Sequence, residues 1–326
     1  MHRFLSQSPL VWIIAVVFLA VLTWAAWPRH TPEAGLLRVT VVDVGQGDCI
    51  LVESPSGRAI LIDGGGSSDE TQVDSTDVGM KTVVPLLHYE GINKLDVVVL
   101  THPHGDHCGG LTAVLREVPV GVVLDGTVIP YPSADYQMFR EEITQRHIPY
   151  EHAARGMRMD LGDGVTAVVL NPPVSGTPYG TGTDDTTINN YSAVLRLTYG
   201  QTHFLLTGDA EFAAEDNIMA TGADISADVL KVGHHGAGNA TSNAWLAHVR
   251  PCWAAISCGL HNSFGHPAPA TIARLAAHRV TTYCTAWNGA ITFTSNGRVV
   301  TAHPFKSRSS PMVTTLLHGR LQRRTS

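Results

Sequence analysis

Ten residues constrain this chain more than any others: Thr101 to Gly110, reading THPHGDHCGG. They place His102, His104, Asp106 and His107 directly behind the apolar run Asp96 to Leu100. Imidazole nitrogens and carboxylate oxygens at this density are metal-ligand chemistry, and the spacing matters as much as the content. At the end of a strand, alternate residues aim two imidazoles at one ion. A turn into a helix beginning near Gly110 then brings Asp106 and His107 toward a second. The chain must therefore fold so that this strand end opens at an edge where other strands deliver further ligands.

Two such strands are visible. Thr202 to Leu206 runs into Thr207-Gly208-Asp209, whose carboxylate suits a bridge between two cations about 3.5–4 Å apart. Asp228 to Val232 runs into Gly233-His234-His235-Gly236. Taken singly, Asp209 is an ordinary turn residue and the paired histidines are only suggestive. All three stations end hydrophobic strands, which a layered sheet gathers along one edge.

The intervening sequence supports that layering. Further β-rich runs span Leu37 to Val44, Cys49 to Glu53, Ala59 to Ile62, Val120 to Asp125, Val165 to Leu170, Ser192 to Thr198 and Trp253 to Ser257. Ala290 to Thr294 and Arg298 to Thr301 form a predicted hairpin across Asn296-Gly297. Predicted helices cover Met80 to Glu90, Gly110 to Glu117, Ala134 to His147, Glu211 to Ala220, Ser242 to Val249 and Pro269 to His278. Early strands pair antiparallel and later ones alternate with helices, so two sheets with helices outside them are expected.

The ends are different. Residues 1–8 are a short positive start, and Pro9 to Trp27 is a 19-residue run without a charge, flanked by Trp12, Trp24 and Trp27. That length is close to the roughly 20 residues a helix needs to cross a bilayer. It reads as an uncleaved single-pass anchor with the amino terminus in the cytoplasm; secretion after signal cleavage is the alternative. A linker, 28–36, leads to a body over 37–305. The segment 306–326 carries Lys306, Arg308, Arg320, Arg323 and Arg324 and no acid, as a basic flexible tail. Removing those five cations, Arg3 and Arg29 from the formal charge of −6 leaves residues 30–305 at −13. Five cysteines lie without CxxC spacing, which argues against a disulfide framework or a zinc ribbon.

With these segments in place, the sequence resembles the metallo-β-lactamase superfamily, and most closely the extracytoplasmic nuclease-like domain of the ComEC/Rec2 DNA-internalisation proteins. The resemblance covers about residues 37–300. It rests on Asp43-Val44-Gly45-Gln46-Gly47-Asp48, Asp63-Gly64-Gly65, THPHGDHCGG, Asn189 with Ser192, Leu206 to Asp209, Leu230 to Gly236, and Ser257-x-Gly259 followed by Asn262 and Gly265-His266-Pro267. It implies an α/β fold, a four-layer αββα sandwich preceded by one N-terminal transmembrane helix, with a metal-dependent hydrolase site at one edge. By motif, His102, His104 and Asp209 hold one ion, and Asp106, His107, Asp209 and His234 the other. Asp106, His235 and His266 are the catalytic candidates, the two histidines as proton donors. Asp43, Asp48, Asp63, Asn189, Ser192, Asn262 and Ser263 are expected to support the ligands or meet substrate.

Departures from the pattern bear on the metal. Relatives often supply a histidine about twenty residues before the bridging Asp, where this chain has Thr186-Thr187-Ile188-Asn189-Asn190. One or two divalent ions per chain, Zn or Mn, are therefore both open. Ala237 stands where relatives tend to have Ser. The leading expectation is a membrane-anchored, extracytoplasmic phosphodiesterase or nuclease that uses hydroxide generated at the metal, with a phosphodiester or nucleic-acid substrate and the membrane as partner. Against it stands the −13 body, since nucleic-acid surfaces are normally basic. The alternatives are a hydrolase of a small ester, lactone, phosphocholine ester or β-lactam, and a non-catalytic membrane-tethered binding module.

Overall fold

The computed structural model describes residues 35–67 and 76–307. The expected anchor over 9–27, the start over 1–8 and nearly all of the basic tail lie outside the described residues. No helix among the described residues is long and apolar enough to cross a membrane.

Two mixed sheets lie face to face. The first has eight strands in the order β15-β14-β1-β2-β3-β4-β5-β6. Here β1 is Leu37–Val41, β2 Ile50–Glu53, β3 Ala59–Ile62, β4 Leu95–Leu100, β5 Val120–Asp125, β6 Tyr150–His152, β14 Ile291–Ser295 and β15 Val300–Pro304. The second has seven strands, β13-β12-β11-β10-β9-β8-β7. These are β7 Arg158–Asp160, β8 Val165–Asn171, β9 Val194–Tyr199, β10 Thr202–Leu206, β11 Val229–Lys231, β12 Trp253–Ile256 and β13 Thr281–Cys284.

Period-two alternation builds the layers. Ile60 and Ile62 of β3 and Val97 and Val99 of β4 face Val169, Leu195, Phe204 and Leu206 across the inter-sheet core. Each such side chain contributes roughly 1.5–3 kcal/mol when fully buried. The opposite faces of the same strands, through Leu61, Val98 and Leu100, pack on outer helices: α1 (Val84–Tyr89), α2 (Gly105–Glu117) and α3 (Ala134–Gln145). The second sheet covers its outer face with α5 (Phe212–Ala220), α6 (Asn243–Val249) and α7 (Pro269–Ala277). The order is helices, sheet, sheet, helices. Two short helices, α4 (Asp185–Asn190) and α8 (Thr285–Asn288), lie elsewhere, and a helical turn at Thr76–Val78 runs through a π-helical segment, Gly79–Val83, into α1.

Each sheet has a parallel half, β3 to β6 in the first and β10 to β13 in the second. The carboxyl ends of those strands are where Asp63, His102, Asp209 and His235 follow. Open sheets leave their crevices at such ends, so the topology positions the site before any ligand is considered.

Some sequence expectations shift. The helix expected from Gly110 begins at Gly105, putting Asp106 and His107 on its first turn. The Gly109-Gly110 pair does not start the helix; it lets the helix approach the Asp63-Gly64-Gly65 turn. A Cβ on Gly110 would lie 2.1 Å from the Gly64 carbonyl oxygen. Strands β6, β7 and β13 and helices α4 and α8 were not expected from the sequence, although β13, Thr-Thr-Tyr-Cys, has the composition of a strand. The hairpin turns across Asn296-Gly297, where Asn296 Oδ1 accepts from Arg298 and Val299 N–H, but β15 starts at Val300. The cysteines are less scattered in space than in sequence: the buried sulfurs of Cys258 and Cys284 lie 3.3 Å apart as free thiols.

Beneath the paired-histidine turn, buried Glu215 on α5 accepts from the backbone N–H of Thr241 and Ser242, at the start of α6. Replacing it by Ala strands two buried donors, so Glu215→Ala is expected to cost roughly 3 kcal/mol and about 6–12 °C in Tm. Burial pushes the Glu215 carboxyl from 4.5 to about 7, against those hydrogen bonds. The folded state therefore favours its protonated form, and that stabilisation is full below pH 4.5 and lost as pH rises through about 7. Thermal melts of wild type and Glu215→Gln should show a stability gap that narrows across that interval.

Candidate metal centre

The centre is organised around one oxygen. Asp209, on the turn after β10, places Oδ2 3.3 Å from His107 Nε2 and 3.3 Å from His235 Nε2. The same oxygen is 3.9 Å from His102 Nε2 and from His234 Nε2. Asp106 Oδ2 lies 3.3 Å from His235 Nε2. Donor atoms of His102, His107 and Asp209 form one compact trio, and those of Asp106, His107 and His235 another.

Several residues hold these donors in aim. Asp63 Oδ2 accepts from His107 Nδ1 at 2.8 Å and from the Thr101 hydroxyl at 2.7 Å, while Oδ1 accepts from Thr101 N–H. This turns His107 Nε2 inward, as a carboxylate behind a metal-binding imidazole commonly does. Ser192 Oγ accepts from Asp209 N–H and lies 3.3 Å from His102 Nδ1. His235 Nδ1 donates to the Ser257 carbonyl at 2.9 Å, with Asp48 Oδ1 3.3 Å away. Asp48 in turn forms a buried ion pair with Lys231, 2.7 Å from Nζ to Oδ2. Gly47 beside it has φ +118°, and a Cβ there would lie 2.2 Å from the Asp106 carbonyl oxygen, so only glycine fits.

The residues fit a divalent cation. His107 and His235 both commit Nδ1–H to an acceptor, so in the neutral tautomers both Nε2 atoms carry lone pairs. Those nitrogens face each other at 3.4 Å with carboxylate oxygens alongside. Asp209 Oδ1 is buried and has no hydrogen-bond partner. Only a proton or a metal cation relieves such a set of converging lone pairs. Protonation is the metal-free answer: burial opposes it, but Asp209 and the neighbouring carboxylates hold both imidazoles well above the ordinary histidine value. Burial would push Asp209 and Asp106 up, yet the surrounding imidazoles hold both below the usual carboxylate range. His102 is pushed well down, first by burial and then by His107 and His104.

The paired histidines exchange the places expected of them. Backbone φ is +46° at His234 and +53° at His235, and this double left-handed turn drives the second ring, not the first, into the donor set. His234 stands at the cavity wall, with Nδ1 3.2 Å from Glu211 Oε1. His104 caps α2, its Nδ1 3.0 Å from His102 Nε2, and its ring packs edge-on to Tyr131. It belongs to neither compact trio.

Other expected residues separate into those at the site and those away from it. Asn189 and His266 line the cavity, with Asn189 Nδ2 donating to Glu211. Asn262 clasps its own loop, its side chain bonding the Gly259 and His266 backbone. Asp43 is exposed and accepts from Gly45 N–H, a turn role outside the centre, and Ser263 is exposed outside the cavity lining. Lys231, Glu211 and Ser257 were not singled out by their own residue types. For Lys231 a signal existed: a lysine inside the apolar run Val229-Leu230-Lys231-Val232 needs a buried counter-ion.

The open cavity over the centre measures ≈ 560 Å³. Sheets, site and donors together define a metal-dependent hydrolase. The chain matches the Metallo-beta-lactamase superfamily over residues 42–247 and belongs to it, and that fold implies divalent metal binding. It is 32% identical over 277 residues to ComE operon protein 3 of Bacillus subtilis (strain 168), covering 81% of this chain and 34% of the relative. It is 31% identical over 278 residues to competence protein ComA of Neisseria gonorrhoeae, covering 84% and 35%. The chain thus spans about a third of the length of these relatives. Among solved structures, an isothiocyanate hydrolase from Delia radicum gut bacteria aligns over 79% of this chain and 100% of its own, at 12% identity and a TM-score of 0.48.

Because Asp209 Oδ2 neighbours four imidazoles and His102 meets only one side of the set, Asp209→Ala should lose more bound metal than His102→Ala. Elemental analysis of the two purified variants measures this directly, and equal losses would remove Asp209 from its central position.

Proposed function

We propose that this chain is a phosphodiesterase acting on nucleic acid, anchored by residues 9–27 with its hydrolase domain outside the cytoplasm and using Zn or Mn. The observation that supports this best is the 31% identity to competence protein ComA and the 32% identity to ComE operon protein 3 over about four-fifths of the chain, on a centre that gathers His102, Asp106, His107, Asp209 and His235. A near-complete donor set also counts against a purely binding role.

In this reading His102, His107, Asp106, Asp209 and His235 hold the ions, with His104 beside the first. Bound divalent cations supply Lewis acidity and bring the pKa of water down toward 7. Asp106 lines the cavity and is placed to hold a proton of the attacking water. His234 is the proton donor to the leaving oxygen. Its ring borders the cavity, and Glu211 Oε1, 3.2 Å from its Nδ1, is placed to hold the ring and support its protonated form. His266 is pushed down to about 4, by burial and then by His235 and His234, and is neutral at working pH. It can accept a hydrogen bond from substrate or water, which moves the donor role from His235 and His266 to His234.

This division of labour separates the two neighbours. His234→Ala should lower kcat roughly 100-fold with metal content unchanged, while His235→Ala should lose metal. Equal metal loss in both, or full kcat in His234→Ala, would reverse the assignment.

A second reading has one observation behind it: no lysine or arginine lines the cavity among the described residues. A small ester, lactone, phosphocholine ester or β-lactam would tolerate that wall. With Mn²⁺ the full chain should cleave single-stranded DNA or bis(p-nitrophenyl) phosphate, and Asp106→Ala should abolish it. Opening of a lactone or β-lactam with both phosphodiesters left intact would make the second reading the right one.

A further inference from the structure

The cavity wall poses a problem for any polyanion. It carries no lysine or arginine among the described residues, and Asp185 and Glu211 stand in it. Within this cavity, phosphates of a bound strand meet countercharge among the described residues only at the metal centre, without the phosphate-by-phosphate affinity of a basic groove. A nucleic-acid substrate must draw its remaining affinity inside the cavity from uncharged contacts.

The wall offers one such contact in an unusual form. Phe264 lines the cavity and is 53% exposed as a residue. The ring stacks on His266, centroids 5.6 Å apart and planes 21° from parallel. The loop beneath is stiffened by Asn262, which bonds the backbone at Gly259 and at His266. An apolar ring is thus held in a fixed plane, at the rim of a metal site, with half its surface available. Tyr131, edge-on to His104 with centroids 5.1 Å apart, contributes a second aromatic ring to the same lining.

We infer that Phe264 is a stacking platform for an unpaired nucleobase next to the scissile phosphate, which narrows the substrate to single-stranded polynucleotide. The inference rests on the phosphodiesterase reading and deepens it. In a duplex the base faces are covered by their neighbours; a single strand can rotate a base out onto a ring. Stacking needs no charge and tolerates any base, so it suits a cleft without cations. His266, neutral and packed behind the ring, sets the plane of the platform.

The test pairs two substrates with two proteins. Full-length wild type and Phe264→Ala are assayed with Mn²⁺ on a labelled oligothymidylate and on a strand of equal length with abasic tetrahydrofuran units. Phe264→Ala should raise KM for oligothymidylate roughly 5- to 100-fold with kcat and metal content unchanged. On the abasic strand it should leave KM unchanged, and Phe264→Tyr should restore the oligothymidylate value. KM for oligothymidylate should also rise less steeply with added salt than a basic groove would require, with a log–log slope below about 1. Equal effects of Phe264→Ala on both strands, or none on either, would overturn the platform while leaving the phosphodiesterase reading intact. Failure of wild type to cut either strand overturns both.

Discussion

Everything at the active edge depends on gathering negative charge where water is scarce. Asp48, Asp63, Asp106 and Asp209 are all buried, within reach of one another's imidazole partners. Isolated, any one of them would take up a proton and abandon its role. Lys231 satisfies Asp48, and the Thr101 and His107 donors satisfy Asp63. Asp106 and Asp209 are left facing imidazoles that need a proton or a metal to face them in return. The protein is thus built as an incomplete charge balance. The cation is an element of the fold's electrostatics as well as a reagent.

How far the sequence disclosed this varied with the kind of signal. The three stations behind β4, β10 and β11 were legible because each follows an apolar strand, and strand ends are fixed by hydrophobic pattern. Side-chain aim was not legible. Nothing in Gly-His-His-Gly distinguishes the inward histidine from the outward one; two successive left-handed residues decide it, and only the packed turn reveals them. Gly109-Gly110 misled for a related reason: glycine weakens a helix in isolation, yet here it serves close contact with the Gly64 turn, a tertiary cause invisible to local propensity. Asn262 and Asp43 illustrate the opposite error, since polar loop residues in a family motif here bond their own backbone.

The cleft and the body around it carry the same sign of charge. Acidic walls concentrate cations and discourage polyanions. The curated relatives are about two and a half times as long as this chain.

The pairing of β1 carries a consequence for how the molecule comes into being. Its register joins Leu37 to Ser295 and Val41 to Ile291, and Thr40 and Thr292 touch across 252 residues of chain. While the chain is being made, β1 has its local neighbour β2 on one side and an open, apolar edge on the other. Every proposed ligand, from His102 to His235, is synthesised before the strand that closes that edge. The last hairpin is therefore a latch: assembly waits on a contact between the two ends of the domain, a slow, non-local step. Chains halted before it would carry the whole reactive machinery on an unfinished sheet.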